Sequence, residues 1–342
     1  MRKSNRSPAT ALVAILALWL IVSSCTGGST GERSVGRTRD AVVAEITNDV
    51  ILPGLAKSTS SIEALNKSMT AVCAAPSEKL LDTTRDSWRQ ARLDWMATSA
   101  YRVGPIGELH TKAKIAYPIN PDKLEALLSG GGKVDLNQID QLGAHLRGLG
   151  GVEYVLFSTP GPAGLEPSRC AYALAATTSA LDGATELSEA WSDGYAKEFK
   201  ESHQQAIDDL VNASLASLAA VGDMTLGPAS GETTGTVDVA AADPGRAHNA
   251  LADASAELRS VRAVYSAGLA DLVEAKSTSA AKSFENSLAS AIKSIDSMTS
   301  LDDSGAAATA FRHVSQARVS LRTEVASQLG VTVTFADSDG DG

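Results

Sequence analysis

Among the residues that could do chemistry, the three cysteines have the clearest sequence contexts, and the context of Cys25 is the most distinctive. The chain begins with a segment that has three basic residues and no acidic residue. An apolar run over residues 9–22 follows, and Cys25 comes shortly after it. Such a run, about 14 residues long, is typical of a secretory signal peptide and too short to span a bilayer, which needs about 20 residues. Small residues before Cys25 favour cleavage by a lipoprotein signal peptidase. The sequence therefore predicts a lipoprotein signal peptide over residues 1–24 and lipidation of Cys25; ordinary signal cleavage is the alternative.

The predicted lipid also predicts a location in the cell envelope. Two or three acyl chains anchor a protein stably, at about 0.8 kcal/mol for each buried CH₂ group. Thr26 and Gly27 follow Cys25, so no aspartate argues for retention in the inner membrane. We expect the outer membrane facing the periplasm in a Gram-negative organism, and otherwise the outer face of the cytoplasmic membrane.

Export leaves one possible cysteine pair, Cys73 and Cys170, in a compartment where disulfides persist. We predict that they are bonded. Closing a loop of this length stabilises a fold by about 4 to 5 kcal/mol in the chain-entropy model. Two buried free thiols are the alternative.

Motifs of enzyme chemistry are missing from the sequence. The five histidines are scattered, and no HExxH zinc pattern, phosphate-binding glycine loop or nucleophile elbow occurs. Residues 337–342, DSDGDG, imitate the start of a calcium loop but stop before its bidentate glutamate. We interpret them as an acidic tail, and the sequence favours a non-enzymatic protein.

The charge balance excludes one class of partner. The chain has 30 basic and 40 acidic residues, a net charge of −10, and the first 24 residues carry three of the bases and none of the acids. The mature protein is therefore still more acidic, which argues against nucleic acid as a partner. Aromatic residues make up only 4%, so the core must consist mainly of Ala, Leu and Val.

Apolar residues recur at helical spacing over most of the chain, and alternating strand patterns are nearly absent. We expect helices over residues 40–75 with a kink or break at Pro53-Gly54, from Ser77 to about residue 103, over 168–221 with a break at 194–200, and over 246–275, 278–298 and 306–329. Short helices are expected over 122–128, 136–147 and 152–157. Only residues 331–335 resemble a strand. The predicted class is all-α, with two tandem helical bundles of the four-helix type.

Composition also divides the chain into regions. Residues 25–37 are rich in Gly, Ser and Thr and predict a flexible tether. We predict an N-terminal bundle over 38–164, with an irregular Gly/Pro-rich part after residue 104. A C-terminal bundle over 165–336 includes a long connector at 222–245, and the acidic tail follows.

Several segments in one order resemble the imelysin-like family of exported bacterial proteins. They include SWRQARLDW at 87–95, YRVGP at 101–105, YPINPDKL at 117–124, LRGLGGVEYVLF at 146–157 and LGVTVTFADSDGD at 329–341. The resemblance covers nearly the whole mature chain. It implies a pair of helical bundles, an envelope location and a link to the uptake of iron or another metal; some members are described as metallopeptidases.

The family signature implied by this resemblance, GxHxxE, is altered here. Gly148 and Glu153 keep their places, but Gly150 stands where the signature has histidine. On a helix the His and Glu would share one face, as two metal ligands must. Because glycine has no ligand atom, a metal cannot be carried over from the resemblance at this position.

Other residues near the motif could replace the missing ligand. His145 precedes Glu153 by eight residues, and Glu108 and His110 lie in the glycine-rich segment after Gly104-Pro105. We consider these with Glu153 as a candidate set for iron or another divalent metal. The alternative is that the histidines are solvated or capping residues.

A second candidate site lies at Tyr101, Arg102 and Pro105. Arg102 could present its planar fork to a carboxylate such as Glu153 or to an anionic ligand. A buried structural ion pair is the alternative.

The sequence thus predicts a lipid-anchored envelope protein that binds a ligand without catalysis and has a lost or altered metal site. An accessory role in metal uptake through Glu153 and nearby carboxylates is the first alternative. A metallopeptidase is the least favoured. A structural role with an envelope protein partner is also open.

Overall fold

Helices form nearly all the regular structure of the chain. The computed structural model describes residues 37–116, 118–130 and 134–334, and these ranges contain no β-strand, which confirms the all-α prediction. The α-helices are α1 (Arg39–Glu45), α2 (Leu52–Ala74), α3 (Glu78–Met96), α4 (Thr111–Ile115), α5 (Pro121–Ser129), α6 (Leu136–Ile139), α7 (Gly148–Ser158), α8 (Pro167–Ala190), α9 (Ala196–Glu201), α10 (Gln204–Ala219), α11 (Gly227–Ser230), α12 (Val239–Ala242), α13 (Ala250–Val264), α14 (Ala270–Glu274), α15 (Thr278–Asp296), α16 (Ser304–Ser320) and α17 (Ala326–Leu329).

Wider π-helical turns join several of these helices into longer ones. They are Ile46–Ile51, Trp191–Tyr195, Ala220–Leu226, Tyr265–Leu269 and Leu321–Val325. The first lies directly before Pro53-Gly54, where a kink or break is predicted, and explains why the helix does not break there. Proline normally clashes with the carbonyl four residues earlier, but the π turn directly before α2 shifts the pairing, so Leu52 N–H bonds to the Thr47 carbonyl. The helix therefore continues through Pro53.

The first half of the body is built on α2, α3, α7 and α8. Ser77 caps α3 as predicted, with its side chain accepting from Leu80 N–H. Trp88 and Trp95 lie on the buried face of α3, with 2% and 1% of their surface exposed. The Trp88 indole donates to the Leu149 carbonyl at 2.8 Å. This bond ties α3 to the start of α7.

The second half is built on α10, α13, α15 and α16. It also contacts the first half, because α13 packs against α3 and the 3₁₀ turn Ser99–Tyr101 packs against α10. Residues 37–334 belong to one compact unit. The division into an N-terminal and a C-terminal bundle near residue 164 stays a prediction.

The irregular parts of the chain differ from the sequence pattern in both directions, with more helix in one part and less in another. The predicted connector, 222–245, includes α11 and α12, and the predicted helix over 136–147 is only the single turn α6 followed by the 3₁₀ turn Ala144–Leu146. The break expected at 194–200 is present, since the helix kinks at Gly194, whose backbone is not helical, and a second break follows at His203, where φ is +49°. Residues 331–334 are extended without pairing into a strand.

A disulfide joins Cys73 at the end of α2 to Cys170 near the start of α8, with their Cα atoms 5.7 Å apart. This confirms the predicted pair. The bond fastens two helices that also pack closely against each other.

One described helical stretch, Gln204–Ser230, is long and apolar enough to cross a membrane by length and composition. Half of its most apolar window is buried inside the protein. A core helix passes the same test, so this stretch is weak support for a membrane span. The predicted signal peptide, Cys25, most of the tether and the acidic tail lie outside the described residues.

Candidate functional site

The altered motif lies at the start of α7, and its glycines allow close packing. Gly148 has φ +73°, and a Cβ there would lie 2.6 Å from the Ile115 carbonyl oxygen. At Gly151 a Cβ would overlap the hydroxyl of Tyr172, which itself donates to the Leu146 carbonyl at 2.8 Å. Only glycine fits both places without movement of the backbone or of a buried ring. These two glycines therefore fix how α7 docks on α4 and α8.

Glu153 lies one turn into α7, and its carboxylate is partly buried. Its Oε1 accepts a hydrogen bond from the backbone N–H of Ala247 at 2.8 Å. Burial raises the pKa of Glu153 above its ordinary value, although the Ala247 hydrogen bond and the charge of Arg92 both oppose this rise. The motif carboxylate is thus already bound by the protein itself.

Arg92 of α3 and Asp253 of α13 form an ion pair beside Glu153. Arg92 Nε donates to Asp253 Oδ2 at 2.8 Å, and Asn249 Nδ2 donates to Asp253 Oδ1 at 2.7 Å. Burial lowers the pKa of Arg92, but Asp253 outweighs burial and holds it above the ordinary value. The pair joins the two halves of the body next to the motif.

Arg102 lies just after α3, and its guanidinium is held by the chain around it. Its Nη2 donates to the Trp95 carbonyl at 2.5 Å and its Nε to Thr98 Oγ1 at 3.1 Å. The guanidinium carbon lies 4.3 Å from the centroid of the Trp95 ring, in cation–π geometry. Burial lowers the pKa of Arg102 to about 10, partly opposed by the negative charge of Glu257.

Glu257 is the most buried acid of this region, with 8% of its surface exposed. It lies one turn after Asp253 on α13. Burial raises its pKa to about 7, although the charges of Arg102 and Arg92 lower it in part. Among the described residues no donor makes a hydrogen bond or an ion pair with its carboxylate. Near neutral pH this carboxyl group is therefore poised between its protonated and charged forms.

We call this group of charges the acid–arginine cluster. Its members come from α3 and the turn after it, from α7, and from α13 and the segment before it: Arg92, Arg102, Glu153, Asp243, Asp253 and Glu257. Two guanidinium groups face four carboxyl groups. The cluster can bind protons and polar or cationic groups.

The chain matches the family model described as Imelysin over residues 51–329. The match spans well over half of the sequence and includes both the altered motif and α13.

The chain belongs to the imelysin family.

Two solved structures share the fold of this imelysin family member. An imelysin-like protein from Psychrobacter arcticum 273-4 superposes with a TM-score of 0.76 at 17% identity, covering 87% of this chain and 97% of that one. A protein described as an iron-regulated protein A precursor from Parabacteroides distasonis ATCC 8503 gives 0.75 at 19% identity, covering 88% and 97%. A comparison with curated proteins gives no significant match.

The residues present at the imelysin motif do not fit a bound metal. Gly150 has no donor atom, Glu153 already accepts from Ala247, and the positive charge of Arg92 lies beside the same carboxylates. Within the described part of the chain, no group of three or more His, Cys, Asp or Glu side chains is arranged to hold a metal ion. The cations next to Glu153 are guanidinium groups of the protein.

The predicted set of Glu153, His145, Glu108 and His110 is not brought together. His145 lies in the 3₁₀ turn Ala144–Leu146 with its ring against Gly143, and its carbonyl accepts from Asn120 N–H at 2.9 Å. Glu108 and His110 are exposed, and His110 precedes α4 with φ +51°. The sequence could not show this, because it does not fix where separate loops lie relative to α7.

The predicted pocket of Tyr101, Arg102 and Pro105 also differs from the expectation. Tyr101 is buried against α2, where Gly54 leaves room for its hydroxyl, and Pro105 lies in the 3₁₀ turn Gly104–Ile106. Arg102 bonds to Trp95 and Thr98, and the carboxylate that acts on it most strongly is Glu257, where Glu153 was expected. The three residues therefore do not line one pocket.

Four members of the cluster were missed in the sequence: Arg92, Asp243, Asp253 and Glu257. Asp253 and Glu257 carry a usable signal, because residues four apart share one face of a helix and this pair adjoins the apolar stripe of α13. Arg92 lies between Trp88 and Trp95 on α3. Charged residues on long helices are usually solvated, which is why these did not stand out.

Proposed function

We propose that this chain is a lipid-anchored envelope protein of the imelysin family that binds a ligand at the acid–arginine cluster and catalyses no reaction. Its metal site has been lost. The observation that carries this proposal is the state of the motif: Gly150 provides no ligand atom, and the protein's own Ala247 N–H bonds to Glu153 Oε1.

The cluster supports a binding role because it places charged groups in buried positions, where they lower the stability of the fold. Asp253 and Arg92 are paired, and Glu257 is 8% exposed near the charges of Arg102 and Arg92, without a hydrogen bond to either among the described residues. A buried, unpaired carboxylate destabilises a fold unless another group contacts it. Such groups gather at functional sites, so a polar or cationic ligand at this cluster gives a physical reason for its composition.

The proposed location rests on the N-terminal sequence and on the disulfide. A basic start, an apolar run and Cys25 support export and lipidation. The Cys73–Cys170 bond supports an oxidising compartment. We propose attachment through the Cys25 lipid to the outer membrane of a Gram-negative organism, or to the outer face of the cytoplasmic membrane.

An accessory role in iron uptake is the second candidate. It is favoured by the excess of carboxylates in the cluster and by the description of one structural relative as iron-regulated. In this alternative, Glu153 and the neighbouring acids bind the metal without a histidine. Peptidase activity is the least favoured, since Gly150 stands where the motif has its histidine and the sequence has no HExxH pattern to provide a metal ligand pair with a base.

Metal titration of the protein from Thr26 onward distinguishes the two candidates. Calorimetry with zinc, copper and anaerobic ferrous iron is compared for the wild type, Glu153→Ala and Gly150→His, with Glu108→Ala as an exposed control. We expect no stoichiometric binding by the wild type. Gly150→His should gain binding, because it places an imidazole three residues before Glu153 on an ordinary helical backbone.

Stoichiometric binding by the wild type that Glu153→Ala abolishes would overturn the proposed loss of metal and favour the uptake role. The ligand itself is sought by native mass spectrometry of protein purified from the envelope. A bound mass that Glu257→Ala removes, and Glu108→Ala retains, supports the cluster as the binding site.

A further inference from the structure

The segment before α13 crosses directly over the motif carboxylate. We call Asp243–Asn249 the strap; it has no regular secondary structure. Ala247 N–H donates to Glu153 Oε1 at 2.8 Å. Gly245 lies so close that a Cβ there would overlap this oxygen. The strap backbone therefore occupies the space in front of Glu153.

A side chain of the strap also fastens it to α7. The guanidinium carbon of Arg246 lies 4.1 Å from the ring centroid of Tyr154, the residue after Glu153. Tyr154 is held in place, since its hydroxyl donates to Glu125 Oε2 at 2.8 Å. Arg246 itself is exposed. This cation–π contact is the outer fastening of the strap, and the Ala247 hydrogen bond is the inner one.

The end of the strap is held by polar contacts and contains a strained residue. Asn249 Nδ2 donates to Asp253 Oδ1 at 2.7 Å, and His248 Nδ1 lies 3.2 Å from Asp243 Oδ2. His248 has φ +52°, a conformation that residues other than glycine rarely adopt. Strain of this kind persists only where surrounding contacts impose it, and it favours release when they are lost.

We propose that the strap is an autoinhibitory lid that closes on Glu153 and must lift before a ligand reaches this carboxylate. This inference rests on the proposed function in one respect, that Glu153 belongs to the binding site. A ligand that displaces the strap has to replace the Ala247 N–H, so it presents a hydrogen-bond donor or a positive charge. The strap and the ligand then compete for one oxygen.

Carboxyl footprinting measures the opening directly. The protein from Thr26 onward is treated with a carbodiimide and glycine ethyl ester, and labelling of Glu153 is followed by mass spectrometry. Arg246→Ala removes the outer fastening, and Arg312→Ala, an exposed arginine on α16, is its control. We expect Arg246→Ala to label Glu153 about two- to fivefold faster, the factor that matches loss of an exposed cation–π contact.

A second pair of variants opens the strap from the inside. Gly245→Ala places a methyl group against Glu153, whereas Gly107→Ala adds one where nothing lies within 4 Å. We expect Glu153 to be labelled faster in Gly245→Ala than in the wild type, and at the wild-type rate in Gly107→Ala. Asp94, buried and paired with Lys57, reports whether the fold is intact, since its labelling stays slow unless the body unfolds.

Equal labelling of Glu153 in the wild type, Arg246→Ala and Gly245→Ala would overturn the proposal. So would exchange of the Ala247 amide only at the rate of the buried helices, because the strap would then open only by global unfolding. Neither readout uses a ligand. Failure of the proposed binding function therefore leaves the test of the strap unaffected.

Discussion

Replacing Glu257 by glutamine tests whether the buried acid lowers the stability of the fold at neutral pH. Glu257 is 8% exposed, and burial raises its pKa from an ordinary 4.5 to about 7, partly opposed by Arg102 and Arg92. Glutamine has nearly the shape of the protonated acid and no charge. The variant therefore resembles the protein with Glu257 permanently protonated.

The direction in which stability changes with pH follows from whether the folded or the unfolded chain binds the proton of Glu257. Below pH 4.5 both the folded and the unfolded chain carry it, and the substitution changes little. Between pH 4.5 and 7 the unfolded chain releases the proton while the folded chain keeps it, so the wild type loses stability as pH rises. Because a tenfold change in proton affinity is worth about 1.4 kcal/mol, the full loss is about 3 kcal/mol.

We therefore expect Glu257→Gln to match the wild type at pH 4.5 and to exceed it by about 3 kcal/mol at pH 8. Urea denaturation followed by circular dichroism at half-unit pH steps measures this difference. Glu108→Gln, at an exposed glutamate, controls for the change in net charge. Parallel curves for wild type and Glu257→Gln between pH 4.5 and 8 would refute the reasoning that burial raises the Glu257 pKa.

Three further predictions concern the packing around α7 and the disulfide. Gly148→Ala should destabilise the fold by about 2 to 4 kcal/mol, from a positive φ and a clash with a backbone oxygen; urea denaturation checks this. Trp88→Phe should lose about 1 to 2 kcal/mol with its bond to Leu149, measured in the same way. Replacing both Cys73 and Cys170 by serine should lower the free energy of unfolding by about 4 kcal/mol. The wild type under reductant should show the same loss of stability, and an unchanged urea midpoint would contradict this prediction.

The long helices could be predicted because their signals are local. Ser77 caps α3, and Trp88, Ala91 and Trp95 recur at the spacing that puts them on one buried face. The π turn before Pro53, which keeps the helix from breaking there, could not be predicted, because it depends on how the preceding helix packs and propensity does not record this. The disulfide followed from the predicted export and lipidation of Cys25, which leave Cys73 and Cys170 as the one possible pair.

The site could be predicted at Glu153, the acid of the motif, and at Arg102, while the other members of the cluster were missed. Glu153 shows why. Its partners come from α3, from α13 and from the strap, which lie about 60 to 100 residues away along the chain. From the sequence, an arginine on α3 is expected to be solvated. In the structure, the packing of α13 against α3 brings Asp253 next to it. The metal set failed for the same reason, since spacing along loops does not determine distance between them.

The retained charges make sense only when the loss at Gly150 is considered with the strap. If the site had merely decayed, substitution of Glu257 by a neutral residue would remove a buried charge and stabilise the fold near neutral pH. The acid is nevertheless present, beside an arginine that Trp95 and Thr98 hold in place. A fixed cation, a buried proton-accepting group and a carboxylate under a strap are the parts of a site that binds polar ligands. We therefore infer that these charges serve a polar ligand other than a metal ion.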